Sequence, residues 1–167
     1  MENKIERLTV EAVELLKEMV SIPSPSFEED AVCGHVCKWL TDHGVEHRRV
    51  GNNIIAEHIA DPTRPTLMLC AHMDEIGLIV TYIEDDGFLR CQKVGGINPA
   101  YCISNRVIFT NGTYGVVFAE KTDEKTKLSN LYIDIGAKNK ADAENMVKIG
   151  DVCSFEGKFA KIGDKVC

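Results

Sequence analysis

Three things are missing from the 167-residue sequence, and each absence narrows its function. No apolar run approaches the roughly 18 residues that a membrane-spanning helix requires. There is no surplus of basic residues: the net charge is −7 and the isoelectric point near 5.2, which argues against nucleic acid or an anionic membrane as partner. No Cys-x-x-Cys pair occurs among the seven cysteines, at positions 33, 37, 70, 91, 102, 153 and 167, so neither a zinc ribbon nor a thioredoxin-like motif is present. Met1-Glu2-Asn3-Lys4 opens a polar amphipathic segment and does not read as a signal peptide. The cysteines are therefore expected to be reduced thiols in a cytosol, mostly serving as small buried hydrophobes. At 44% hydrophobic and 27% charged the composition is that of an ordinary globular protein, long enough for one sizeable domain or one and a half small ones.

Ile5, Leu8, Ala12, Leu15, Leu16 and Met19 recur at helical spacing and predict a helix over about 4–20. Ser21-Ile22-Pro23-Ser24-Pro25 stops it, since each proline disfavours helix in the residue before it. Ser26 with Glu29 matches a capping box, and Val32, Val36 and Leu40 with Trp39 predict a second helix ending at His43-Gly44. Val45–Val50 and Ile54–His58 read as strands around Gly51-Asn52-Asn53. Beyond Asp74 the texture changes to short strands (76–83, 88–93, 106–109, 113–118, 131–135, 152–155, 159–162), with hairpin turns at Asp85-Asp86-Gly87 and Asn111-Gly112. Lys121–Lys127 reads as a polar loop and Asn139 as the N-cap of a short helix reaching Met146. This pattern predicts a compact β-barrel or PDZ-like module, with a boundary near residues 74–76.

The stretch on which the chemistry would turn is Leu67-Met68-Leu69-Cys70-Ala71-His72-Met73-Asp74. It is short and apolar and follows turn signals at Asp61-Pro62 and Arg64-Pro65, so it predicts a buried strand at 67–71 with Cys70 in the core. Positions i and i+2 of a strand share a face, which would place His72 and Asp74 side by side at its C-terminal end, where open α/β sheets bind ligands. Imidazole is a common ligand of zinc and related metals, and a neighbouring carboxylate can fix its tautomer. Glu75 falls on the opposite face. His35, His43, His47 and His58 read as surface or helix-end residues, Gly95-Gly96 as a loop needing positive φ, and Asp134 as a residue on a strand's polar face.

Several ordered motifs resemble a known family. Ala71-His72-Met73-Asp74-Glu75-Ile76-Gly77-Leu78-Ile79-Val80, Asp86-Gly87-Phe88-Leu89-Arg90, Val94-Gly95-Gly96-Ile97 and Leu131-Tyr132-Ile133-Asp134-Ile135-Gly136-Ala137 occur in the order found in metallopeptidase family forty-two, the glutamyl and tetrahedral aminopeptidases also labelled cellulase M. Ile22-Pro23-Ser24-Pro25-Ser26 with Glu29 resembles that family's opening. The resemblance implies an α/β fold: a partial αβα aminopeptidase catalytic domain over 1–74, an inserted PDZ-like β-barrel dimerisation domain over 75–162, and the start of a return to the catalytic domain over 163–167. It implies His72 as a metal ligand and Asp74 as the catalytic-site aspartate that orients it, and leaves the substrate-binding residues unknown. It also implies two divalent ions (zinc or cobalt) in the complete enzyme, a peptide substrate, a cytoplasmic location, and homo-oligomers from dimers to dodecamers. The family's remaining ligands and general base have no counterpart in these residues, so an inactive N-terminal part holding little or no metal is expected.

Two alternatives stand beside this reading. The chain could act as a non-catalytic dimerisation or interaction module. It could also belong to a related two-metal amidohydrolase, a dipeptidase or deacylase. A glycan-cleaving role is physically weak, because no pair of carboxylates is singled out to flank one glycosidic bond.

Overall fold

The structure, a computed structural model, describes residues 2–59, 61–120 and 126–167. Helix α1 (Glu2–Met19) carries the expected apolar spacing, but Ile5, Leu8 and Leu16 are exposed, while Val13, Leu15 and Met19 are half-buried. Its ties to the next helix are polar: Glu11 Oε1 lies 2.9 Å from His43 Nε2, and Glu18 Oε2 lies 3.3 Å from His35 Nε2. Helix α2 (Asp30–Asp42) buries Val32 and Cys33 and packs against the antiparallel hairpin of β1 (His47–Val50) and β2 (Asn53–Ala56). It ends as the sequence predicts, with Gly44 at φ +67°.

The expected capping box does not form. Glu29 is the N-cap residue and its side chain caps nothing; its carboxylate instead accepts from Phe27 N and from Asn52 Nδ2. The hydroxyl of Ser26 is spent elsewhere, as described below.

Six strands close into a barrel in the order β3-β4-β7-β6-β5-β8: β3 (Gly77–Ile83), β4 (Leu89–Val94), β5 (Arg106–Phe109), β6 (Tyr114–Ala119), β7 (Leu131–Asp134) and β8 (Val152–Phe155). Alternate residues fill its interior: Leu78 and Val80, Leu89 and Cys91, Val107 and Phe109, Leu131 and Ile133, with Val117 and Cys153. Burying each large side chain contributes on the order of 1.5–3 kcal/mol. The register shifts between Val80 and Tyr82, and this bulge reverses the parity, so that Tyr82 faces outward and Ile83 returns to the core. Closure is made by β3 against β8, with Gly77 opposite Ser154 and Leu78 opposite Cys153.

Helix α3 (Lys140–Met146) begins at Asn139, whose side chain accepts from Asp142 N as predicted, and adds Ala143 to the core. The β5–β6 turn is one residue longer than the Asn-Gly signal suggests. Phe109 N donates to Thr113 O and Gly112 sits at φ +87°, giving a three-residue loop over 110–112. Gly95 has φ +83°, as the loop reading of Gly95-Gly96 requires. Short 3₁₀ turns at Pro99–Tyr101 and Leu128–Asn130 were not anticipated, nor was the small terminal hairpin of β9 (Lys161–Ile162) and β10 (Lys165–Val166). Residues 121–125 of the expected polar loop lie outside the described residues.

The main correction concerns the stretch at 67–71. It is not a strand: the β1–β2 hairpin is a two-stranded sheet of its own, and no described residue pairs with 67–71. Leu67, Met68 and Leu69 are 82%, 79% and 87% exposed, and Cys70 is exposed as well. An apolar run forms a buried strand only where neighbouring strands and a covering layer are supplied, and the described residues supply neither.

This correction carries over to the thiols. All seven cysteines are free; Cys33, Cys91, Cys102 and Cys153 are buried, while Cys70 and Cys167 are exposed. Burial pushes the Cys91 thiol up to about 11, and Cys102 and Cys153 are raised for the same reason. Because the thiolate is the reactive form, Ellman's reagent should titrate Cys70 and Cys167 rapidly in the folded chain and the buried thiols only after unfolding. Slow reaction at Cys70 would contradict the placement of this segment.

Candidate active site

His72 and Asp74 lie in the extended segment that leads into β3, and they meet as the i,i+2 spacing predicts even though no strand forms around them. His72 Nδ1 is 2.8 Å from the backbone oxygen of Asp74 and 3.1 Å from its Oδ1. Both partners are oxygens placed to accept, so Nδ1 carries the proton of the neutral ring and the lone pair resides on Nε2. The His72 side chain is 85% exposed and that of Asp74 38%. This is the tautomer a metal-binding imidazole needs, with the ring nitrogen away from the metal held by a carboxylate or carbonyl.

The position of the pair is fixed by contacts that local sequence patterns do not reveal. Ser26 Oγ donates to Asp74 Oδ2 at 2.5 Å, across 48 residues of sequence. Glu75 and Ser24 bond in both directions: Ser24 N donates to Glu75 Oε1 and Glu75 N to Ser24 O, each at 2.9 Å. Ser24 Oγ reaches Met73 O at 3.3 Å, and Pro25 forms a parallel bridge with Glu75. Glu75 is thus committed to holding the α1–α2 connection against the site-bearing segment. The Asp74 carboxyl is held below its ordinary range, first by the Ser26 hydroxyl and then by His72, and is an anion at neutral pH.

The other candidates stay apart from this pair. His43 stacks on Trp39 with ring centroids 3.8 Å apart, His47 Nδ1 contacts Val45 O, and His58 is exposed. Asp134 Oδ1 accepts from Gly136 N within its own turn. Among the described residues no group of three or more His, Cys, Asp or Glu side chains converges to hold a metal ion. The donor set on hand is therefore a single prepared imidazole: it fits the role of one ligand and does not by itself make a metal site.

Comparison with known proteins places the chain in a family. Residues 51–167 match the family model described as M42 glutamyl aminopeptidase. The chain is 30% identical over 167 residues to the lysyl aminopeptidase of Pyrococcus furiosus, covering 90% of this chain and 47% of that protein. Its fold superposes with a TM-score of 0.82 on an aminopeptidase from the archaeon Desulfurococcus kamchatkensis, at 32% identity, covering 90% of this chain and 45% of the other. The TET1 peptidase of Pyrococcus horikoshii, which can assemble into a tetrahedron or a large octahedral shell, superposes with a TM-score of 0.76 at 29% identity, covering 92% of this chain and 49% of the other. The chain spans about half the length of each of these relatives. With a family match over most of its residues and an α/β fold shared with solved aminopeptidases, the chain belongs to the M42 glutamyl aminopeptidase family.

Proposed function

We propose that this chain forms part of a divalent-metal aminopeptidase that removes N-terminal residues from peptides, and that His72 supplies one metal ligand. The observation that carries the reading is the commitment of His72 Nδ1 to Asp74, which leaves Nε2 free and facing solvent. A bound divalent ion in such a site supplies a polarised carbonyl and a water acidified enough to attack at neutral pH. Within this chain, His72 offers the donor nitrogen. Asp74 keeps the ring in the ligating tautomer and adds negative charge behind it. Further donors, including those for a second ion, and the general base would come from outside the described residues.

In this proposal residues 1–74 contribute to the catalytic domain, 75–162 form an inserted association domain built on the barrel, and 163–167 begin the return. Homo-oligomerisation is proposed by likeness to the TET1 peptidase and its shells. A cytoplasmic setting accords with the free thiols, and among the described residues no helix is long and apolar enough to cross a membrane. The test is metal removal. Dialysis of the full-length polypeptide against a chelator should abolish hydrolysis of aminoacyl anilides, and zinc or cobalt should restore it. Full activity in metal-free protein would overturn the proposal.

A second reading, a non-catalytic association module, draws on the exposed apolar residues of α1 and of 67–69. It predicts stable dimers of this chain in sedimentation experiments together with no peptidase activity from any assembly that contains it.

A further inference from the structure

We infer that Ser26 is a positioning residue of this site: its hydroxyl sets the carboxylate of Asp74 and, through it, the ring of His72. The functional meaning of this rests on the metal-ligand reading of His72 proposed above; the geometry does not. Asp74 uses its two oxygens on two different partners, Oδ2 taking the Ser26 hydroxyl at 2.5 Å and Oδ1 lying 3.1 Å from His72 Nδ1. A carboxylate held at both oxygens is fixed in both of its side-chain torsions. Held only through Oδ1, it could turn about Cα–Cβ into another rotamer and swing off the imidazole, which would then keep a single bond, to the Asp74 backbone oxygen at 2.8 Å.

The hydroxyl is presented from a backbone that is itself clamped. The two-way bonding of Ser24 with Glu75, the Ser24 hydroxyl on Met73 O and the Pro25–Glu75 bridge all lie within two residues of Ser26. Pro25 is among the fully buried residues. On the other side, Phe27 adopts φ +80° with its ring 87% exposed. A left-handed conformation costs an L-residue roughly 1–2 kcal/mol, and an exposed ring returns little packing for it. What the conformation achieves is a sharp turn of the chain immediately after Ser26, secured by Phe27 N donating to Glu29 Oε1. Ser26 is not used as a helix cap, and among the described residues its hydroxyl bonds to Asp74.

The experiment compares the unaltered chain with Ser26→Ala, Ser26→Cys and Ser26→Thr, each uniformly labelled, by three-bond couplings that report the χ1 rotamers of Asp74 and His72. The unaltered chain and Ser26→Thr should each show one rotamer at Asp74. Ser26→Ala should show averaged couplings at Asp74 and His72 while the barrel amide spectrum stays unchanged. Should the alanine variant not fold, Ser26→Cys, nearly the same size but a weak donor, serves the same comparison. A single Asp74 rotamer without the hydroxyl would overturn the inference, as would a lowered unfolding midpoint with the rotamer unchanged, which marks a purely structural clasp.

A second readout uses zinc titration of the full-length polypeptide. Groups that orient a metal-binding histidine typically change affinity by about 10–100-fold, and one step further out Ser26→Ala should weaken zinc binding by about 3–10-fold, with rescue by Ser26→Thr. Unchanged affinity beside a freed Asp74 would overturn the functional half of the inference. If instead His72→Ala leaves zinc affinity untouched, the metal-ligand reading fails and the couplings still decide the role of Ser26.

Discussion

His72→Ala in the full-length polypeptide should lower kcat/KM for an aminoacyl anilide by more than about 100-fold. Removing a group that merely orients a metal ligand costs about 10–100-fold, so removing the donor atom itself has to exceed that range. The side chain is 85% exposed and, among the described residues, its hydrogen bonds go to Asp74, so its loss should leave folding stability within about 0.5 kcal/mol of the unaltered protein. That separation makes the experiment decisive, because activity falls while the unfolding midpoint does not. Asp74→Asn should produce an intermediate loss, since an amide can still meet the ring but brings no charge. His58→Ala, an exposed histidine away from the pair, should change nothing. Retained activity in His72→Ala would remove the basis of the catalytic proposal.

Gly77→Ala should destabilise the chain by about 3 kcal/mol, measured as a shift in the denaturant midpoint at constant slope. A Cβ at this position would lie 2.4 Å from the backbone oxygen of Cys153 and 3.2 Å from Cβ of Pro25. The first contact is with backbone in a ladder partner, so relief requires β3 and β8 to part where the barrel closes. Forcing extra volume into a packed site typically costs 1–3 kcal/mol, and the upper end applies here because no flexible side chain can move aside. The second contact pushes on the buried proline beside Ser26. The same variant should therefore also loosen Asp74, giving averaged rotamers at a residue three positions away. A change of a few tenths of a kcal/mol would mean that the β3–β8 seam is slacker than the close approach at Gly77 indicates.

The barrel was legible in the sequence because its information is local. Alternation at Leu78 and Val80, or at Leu131 and Ile133, specifies a strand and its inner face without reference to any distant residue, and the turns at Asp86-Gly87 and Asn111-Gly112 are marked by residue type. The bulge near Thr81 escaped notice because it depends on the partner strand. The His72–Asp74 pair was also legible, for the spacing joins the two residues in any extended backbone. Ser26 and Ser24 were not, because their partners lie 48 to 51 residues away and a serine before a helix reads first as a cap. Leu67–Leu69 misled in the opposite way. An apolar run reports what a segment would do among suitable neighbours, and the described residues do not provide them.

The seam between β3 and β8 has a consequence for how the chain can be cut and joined. Gly77 and Ser154 are direct register partners, so the polypeptide enters and leaves the barrel at one spot, with the two Cα atoms about 4.5–5.5 Å apart. Everything between them belongs to the closed barrel, in which β3 and β8 are themselves two of the six strands. A gap of that size can be bridged by a short turn, so the barrel could be excised, exchanged for another closed unit or lengthened without moving the points to which the rest of the chain is attached. Genetic grafting at this junction would leave Ser26, His72 and Asp74 with the rest of the chain, while β3 and β8 would go with the barrel.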